Sequence, residues 1–241
     1  MRKQKIQRPR FVRISYHGSS VTARPRKEVD PEPHAVLHRD HSRRVRASVT
    51  RDAPRAVVLF EGISDKLAVE TLARRRGRDL DADRISVVPI GGAQAIGRFL
   101  GHFGPQGLDV RLAGLCDVGE EPEFRRGLER SGLGSGLTRA DMERLGFYVC
   151  VDDLEDELIR ALGAAAVEEA VQDQGDLGSF RTLQKQPAWR GRRTEEQLRR
   201  FMSSGGRRKT RYARLLVDAL DPTRVPRPLD RVLAVTAQTT G

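Results

Sequence analysis

The stretch Arg55-Ala-Val-Val-Leu-Phe-Glu-Gly-Ile-Ser-Asp65 decides the fold that this sequence predicts. Residues 56–60 form an unbroken apolar run rich in β-branched side chains, which is typical of a strand buried on both faces of a sheet. A glycine then frees the backbone, a serine is suited to cap a helix, and helical spacing follows over 64–76. Glu61 is therefore placed at the carboxyl end of a strand, with Asp65 about one helical turn later. In open α/β sheets this edge is where ligands bind.

The alternation of strand and helix continues to residue 151. Further strand patterns occur at 85–90, 110–116 and 147–151, and helical patterns at 93–103, 121–130 and 138–145. This spacing predicts a parallel sheet with right-handed crossovers, and so an α/β, Rossmann-like fold with four parallel strands flanked by helices. After Asp152 the pattern is helical, at 154–162, 165–172, 194–203 and 209–220, and 229–235 is expected to fold back on the core.

Charge divides the chain into three parts. Residues 1–52 hold 14 basic and 5 acidic side chains, residues 53–180 hold 15 and 23, and residues 181–241 hold 15 and 5. The first part has few large apolar residues, which predicts a disordered basic arm. We expect this arm at 1–52, an α/β core at 53–162 and a basic helical C-terminal extension at 163–241 packed on the core. Basic flanks around an acidic centre predict a polyanionic partner, most simply nucleic acid, unless they are only a solvated Arg-rich surface.

Several classes of protein are disfavoured by what the sequence lacks. No apolar run approaches the ~20 residues that span a bilayer, and no signal peptide begins the chain, so we expect no membrane association and a cytoplasmic location. Cys116 and Cys150 lie in apolar runs, which predicts buried free thiols. There is no phosphate-binding Gly-x-x-x-x-Gly-Lys-Ser/Thr motif, no Gly-x-Ser-x-Gly, no Cys-x-x-Cys and no His-Glu-x-x-His.

Acidic residues follow the first and third predicted strands, at Glu61 and Asp117. If these parallel strands are neighbours, about 4.8 Å apart, the two carboxylates lie close together and repel one another unless a cation or a proton intervenes. Ligands that are all oxygen favour a hard divalent ion such as Mg²⁺ or Mn²⁺. The alternative is that each acid is an ordinary cap or turn residue.

These residues resemble the signature of the TOPRIM domain of topoisomerases, primases and related nucleases. The resemblance rests on the Glu-Gly-x-x-Asp sequence of 61–65, on Gly91-Gly92 after the second strand, and on Asp117 after the third. In TOPRIM enzymes the motif glutamate and an Asp-x-Asp pair hold metal or transfer protons, which implies these roles for Glu61 and Asp117. Gly119 occupies the second position of the pair, and Glu120, one residue later, is the expected replacement.

Three further positions resemble the OLD (overcoming lysogenization defect) family of nucleases, in a form lacking the ATPase half. They are Asp65, Glu155 within Asp-Leu-Glu, and Lys209. The resemblance implies a DNA endonuclease or nickase that uses two Mg²⁺ or Mn²⁺ ions, with Glu61, Asp117 and Lys209 as catalytic residues. The implied metal ligands are Glu61, Asp65, Asp117, Glu120 and Glu155. It also leaves open a separate ATPase partner and a homodimer.

A second set of residues is predicted to bind nucleic acid. Gly91 and Gly92 would let the backbone approach a phosphate, and the segment 184–193 interleaves basic residues with an aromatic ring. The predicted contacts in this segment are Lys185, Trp189, Arg190, Arg192 and Arg193. The alternative is a loop with Trp189 in the core.

Two other functions stay open at this stage. One is a TOPRIM enzyme that matures RNA or transfers nucleotides. The other is a DNA-binding or partner-binding module without catalysis, in which Gly119 marks the lost activity.

Overall fold

The computed structural model describes residues 53–237, so the predicted arm at 1–52 lies outside the described residues. One four-stranded sheet forms the centre of this part of the chain. Its strands are Ala56–Phe60 (β1), Ile85–Pro89 (β2), Arg111–Cys116 (β3) and Phe147–Val149 (β4). All pairs are parallel and the strand order is β2-β1-β3-β4. The predicted α/β fold with four parallel strands is therefore confirmed.

Helices connect the strands and then continue alone after β4. The connecting helices are Ile63–Arg75 (α1), Ile96–Phe103 (α2), Glu121–Arg130 (α3) and Arg139–Arg144 (α4). The later helices are Leu154–Leu162 (α5), Ala164–Asp173 (α6), Leu177–Lys185 (α7), Thr194–Met202 (α8), Gly206–Ala219 (α9) and Arg227–Val235 (α10). Within residues 53–237, every helix is too short or too polar to cross a bilayer.

Helix α7 was not predicted from the sequence, and α9 begins three residues earlier than its pattern indicated. In α7 only Phe180 and Leu183 are buried, and its first turn contains Gly178, which favours helix poorly. In α9 the N-cap Gly205 has a φ of 104°, a conformation that favours glycine, and Gly206 is the first helical residue. Tertiary packing, rather than local propensity, therefore stabilises these helical turns.

The sheet is buried on both faces because β1 sends alternate side chains to two separate cores. Val57 and Leu59 pack with residues of α2, α3 and α4. Ala56, Val58 and Phe60 pack with α1 and with the helices after β4. The later helices thus share one hydrophobic core with the sheet, while the division into domains at 52 and 162 stays a prediction.

Helices α1 and α9 lie side by side and run in the same direction. Their carboxyl ends are joined by Arg75, which donates hydrogen bonds to the carbonyl oxygens of Val217 and, at 2.7 Å, Leu220. Arg74 and Asp218 form an ion pair at 3.4 Å in the same place. This pairing brings the first turn of α9, far along the chain, to the end of α1 that follows Glu61.

Candidate metal centre

Three carboxylates converge at the carboxyl edge of the sheet. Glu61, Asp117 and Glu120 are half-buried, and each offers an oxygen within 4.8 Å of the other two. The register of the sheet explains this meeting, because Phe60 at the end of β1 lies opposite Leu115 near the end of β3. The acids that follow these neighbouring parallel strands therefore leave the sheet side by side.

The main chain of Glu61 is held by the two glycines that follow β2. The N–H groups of Gly91 and Gly92 donate to the Glu61 carbonyl oxygen at 3.1 and 3.3 Å. Their φ angles are 78° and 113°, and an added Cβ would meet no atom within 4 Å. Glycine is therefore required here by the backbone conformation and not by space. The contact seen for these glycines is with Glu61, and their predicted contact with nucleic acid stays a prediction.

Glu120 reaches the centre through a tight turn after β3. The Glu120 N–H donates to the Asp117 carbonyl at 3.0 Å, and the Asp117 N–H donates to Glu120 Oε2 at 3.4 Å. This turn brings the Glu120 carboxylate to the side of Asp117, although Gly119 has no side chain to offer. If Glu120 replaces the second aspartate of the Asp-x-Asp pair, its carboxylate has to lie beside Asp117, and this turn places it there.

Burial and repulsion between carboxylates favour the protonated forms of Asp117 and Glu120. Burial and the negative charges of Asp65 and Asp153 raise the pKa of Asp117 to about 8. Burial and a hydrogen bond with Glu61 raise the pKa of Glu120 to about 8. A bound cation would compete with these protons.

Two further carboxyl groups, those of Asp65 and Glu155, lie beside the first group and form a second acidic group. The ammonium of Lys209 lies next to this second group. Glu155 is 3% exposed, and its Oε2 accepts no hydrogen bond; its contact is an ion pair with Lys209 Nζ at 3.4 Å. Burial raises the pKa of Glu155 to about 7, although Lys209 opposes the shift. Burial likewise raises the pKa of Asp65 to about 6. Asp65 also accepts the Gly62 N–H at 3.2 Å, so it caps α1 as well.

Lys209 is the cation of this second group. Burial favours the neutral amine, but the carboxylates of Glu155, Asp65 and Asp117 outweigh burial and raise the pKa of Lys209. The ammonium is therefore charged and lies near both acidic groups.

Asp153 has a different role from Glu155 in the Asp-Leu-Glu segment. It accepts the Asp156 N–H at 2.8 Å as the N-cap of α5, and it binds Arg199 Nε at 2.6 Å. Both contacts hold the start of α5, from which Glu155 points to Lys209. Sequence reasoning missed Arg199, because no local signal separates it from the neighbouring arginines.

The donor set fits hard divalent cations. Every candidate ligand is a carboxylate oxygen, and the buried Glu155 Oε2 lacks a hydrogen-bond donor. Protons on Asp117 and Glu120 and the ammonium of Lys209 offset the crowded negative charge. Among the described residues, the acids that converge closely enough to hold a cation are Glu61, Asp117 and Glu120. Asp65 and Glu155 lie near enough to raise the pKa of Asp117, and their role as metal ligands stays a prediction.

The basic residues predicted to bind nucleic acid make local contacts. Arg190 and Arg192 donate to the carbonyls of Lys185 and Ala188, and Arg193 pairs with Glu196 at 2.9 Å. Trp189 is half-buried against the core, with the Arg192 guanidinium 5.5 Å from its ring centre. In the part of the chain that the structure describes, no hydrogen bond or ion pair joins this segment to the acidic groups. Its role in nucleic-acid binding stays a prediction.

The two cysteines are buried free thiols, as predicted. Burial raises the pKa of both Cys116 and Cys150, so both stay neutral and neither is suited to bind a metal.

We expect Lys209→Met to destabilise the protein in a pH-dependent way. The substitution leaves the Glu155 carboxyl, 4% exposed, without its cation and raises the pKa of Glu155 above the present value of about 7. A raised folded-state pKa means that stability is lost as the pH rises from about 4.5 through 7. The cost should be ~1–3 kcal/mol at pH 8 and small at pH 5.

Urea unfolding at the two pH values measures this cost. The double variant Lys209→Met/Glu155→Gln no longer places an unpaired carboxylate at position 155 and should recover part of the loss at pH 8, while Asp65 and Asp117 still lack the ammonium. An equal cost at both pH values would show that Lys209 stabilises the protein by packing and not by charge.

Comparisons with known proteins found one family model and several solved structures that match this chain. Residues 54–118, which contain Glu61, Asp65 and Asp117, match the family model "Overcoming lysogenization defect protein-like, TOPRIM domain". A comparison with curated proteins found no match.

Two solved structures share the fold. The C-terminal region of the Burkholderia pseudomallei OLD protein is 18% identical with a TM-score of 0.57, and the match covers 77% of this chain and 98% of that one. The C-terminal region of the Xanthomonas campestris pv. campestris OLD protein is 23% identical with a TM-score of 0.56, and the match covers 76% and 94%. Residues 54–118 thus match an OLD-like TOPRIM domain, and the described part of the chain shares the fold of OLD C-terminal regions.

Proposed function

We propose that this protein is a metal-dependent DNA endonuclease or nickase that hydrolyses phosphodiester bonds with two Mg²⁺ or Mn²⁺ ions. The observation that carries the proposal is the convergence of the Glu61, Asp117 and Glu120 carboxylates within 4.8 Å, beside a second acidic group that holds a lysine. The match to the OLD-like TOPRIM model supports a nuclease-type role. The fold neighbours support the architecture alone.

The cations would be held by Glu61, Asp117 and Glu120, and by Asp65 and Glu155. Divalent ions bound there would supply the positive charge that polarises a phosphodiester and makes water more acidic. The protein's own residues would position the ligands and the phosphate. The glycine N–H groups after β2 keep Glu61 at the edge of the sheet.

Lys209 would assist the chemistry at the phosphate. Its ammonium lies beside Glu155, in reach of the acidic edge, and would neutralise negative charge that develops on the phosphate in the transition state.

The non-catalytic alternative rests on Gly119, which departs from the Asp-x-Asp pattern. Glu120 supplies a carboxylate at the same place, and this favours catalysis over a binding module. RNA maturation or nucleotidyl transfer would need the same acids. We further propose a cytoplasmic location, with a separate ATPase and a second copy of the chain as candidate partners.

A plasmid assay tests the proposal. Supercoiled DNA incubated with the protein and Mn²⁺ or Mg²⁺ should become relaxed or linear, and with EDTA it should only be shifted on a gel. A structured RNA is incubated in parallel. Cleavage of the RNA and not of the plasmid would favour the maturation alternative. A shift without cleavage of either nucleic acid, with both metals, would favour the binding module.

A further inference from the structure

A groove of about 800 Å³ runs between α1 and α9, outside the acidic centre. We call it the α1–α9 groove and define it by Ile63, Leu67 and Arg74 on α1 and by Thr210, Arg214 and Leu215 on α9. Its volume lies within the range of ~300–1,000 Å³ that is usual for ligand sites.

One end of the groove adjoins the candidate metal centre. Ile63 lies two residues after Glu61, and Thr210 follows Lys209 directly. The other end lies at Arg74 and Asp218, which pair at 3.4 Å. From Ile63 to Arg74 the groove follows α1 for ~16 Å, at 1.5 Å per residue. A chain that leaves the metal centre along this path would remain in contact with both helices.

The groove combines an apolar floor with a basic wall. Ile63 is 49% exposed, and Leu67 and Leu215 are half-buried, so aliphatic surface faces solvent here. Arg214 is exposed, and among residues 53–237 it has no hydrogen bond and no ion pair. Arg74 is paired with Asp218, but both side chains are largely exposed, so this ion pair is weak. The surface therefore offers apolar contact and free positive charge together.

We propose that the α1–α9 groove binds a short single-stranded segment of nucleic acid next to the phosphate that is cleaved. This inference rests on the proposed function for the position of that phosphate. Bases and sugars would lie on the aliphatic floor, and Arg214 would contact a backbone phosphate. The nucleic acid would enter the centre as a locally unpaired strand.

The width of the groove favours a single strand over a duplex. Packed helices lie about 8–10 Å apart between their axes, so the depression between α1 and α9 is narrower than one helix. A duplex instead receives a whole helix in its major groove, which is about 12 Å wide. A duplex would thus touch only the rims of the two helices, whereas one strand reaches the floor.

Binding of a fluorescent oligothymidine, measured by anisotropy in EDTA over a range of salt concentrations, tests the proposal. The variant Arg214→Gln should bind several-fold more weakly and reduce the slope of log K against log salt by ~0.7, the value for one phosphate contact on a single strand. The matched control is Arg130→Gln. Arg130 is an exposed residue at the end of α3, which packs on the other face of the sheet. The Arg130→Gln protein should show the same slope of log K against log salt as the wild-type protein.

The apolar floor is tested by Leu67→Ser, with Leu108→Ser, at an exposed leucine outside the groove, as its control. Leu67→Ser should weaken oligothymidine binding several-fold without changing the salt slope, because the lost contact is not ionic. The affinity for a blunt duplex of the same length should change less than twofold with either groove variant.

Three outcomes would overturn the proposal. They are equal slopes for Arg214→Gln and Arg130→Gln, equal effects of the two leucine variants, and equal losses for duplex and single strand. Because the assay is done in EDTA, it is independent of cleavage. A protein that binds through Arg214 but never cleaves would contradict the proposed function alone, and one that cleaves without needing Arg214 would contradict the groove alone.

Discussion

The Glu61→Gln variant is expected to cleave a plasmid on the order of 10²–10³-fold more slowly than the wild-type protein, because it weakens the hold on the cation that would stabilise transition-state charge. Glutamine keeps the size of the side chain and leaves the main-chain bonds from Gly91 and Gly92 intact. What disappears is one negative oxygen ligand of the group with Asp117 and Glu120. The fold should therefore persist while the metal centre fails.

Initial rates of plasmid relaxation at saturating Mn²⁺ measure this loss. A gel shift in EDTA should be unchanged, because no metal takes part in it. Glu70→Gln is the matched control, since Glu70 lies on α1 and pairs with Lys66 at 3.1 Å on the surface. It should stay within twofold of the wild-type rate. A Glu61→Gln protein as active as Glu70→Gln would end the proposal that these acids hold the catalytic metal.

Asp117→Asn is expected to have two opposite effects, a loss of cleavage as large as that of Glu61→Gln and a gain in stability without metal. The pKa of Asp117 is about 8 in the folded protein, above its ordinary value. The folded state therefore favours the protonated carboxyl, and the metal-free protein loses stability as the pH rises from about 4 to 8. Asparagine does not ionise and avoids this loss.

The gain should be ~1–2 kcal/mol at pH 8.5, after allowing for the partial exposure of the carboxyl. For a domain of this size that corresponds to a rise in Tm of roughly 2–8 °C. Thermal unfolding in EDTA at pH 5 and pH 8.5 measures it, with Asp230→Asn, at a surface ion pair, as the control. When Mn²⁺ replaces EDTA, the Tm of the wild-type protein should rise and the difference in Tm between wild type and Asp117→Asn should disappear. An Asp117→Asn protein that is less stable than wild type at pH 8.5 would contradict the cost of burying an ionised Asp117 among other carboxylates.

Much of the α/β part was predictable because its signals are local. The apolar run of 56–60, the acid that follows it and the glycine pair at 91–92 each occupy a few consecutive residues, and the structure has the strands at nearly the predicted bounds. Helix α7 was missed because its packing, not its composition, makes it helical. The segment around Trp189 shows the same limit, since its sequence did not reveal that Arg192 and Arg193 contact neighbouring residues.

Residue order and side-chain type determine the α/β class and the strand ends that carry Glu61 and Asp117. They also determine that the candidate metal ligands are all oxygen atoms. These depend on hydrophobic periodicity and on ligand chemistry, which are properties of short stretches. The position of Glu120 beside Glu61, the burial of Glu155 against Lys209 and the groove between α1 and α9 depend on contacts between distant segments. Their geometry and their pKa shifts arise from desolvation and from charges brought together by packing, so they exist only once the chain has folded.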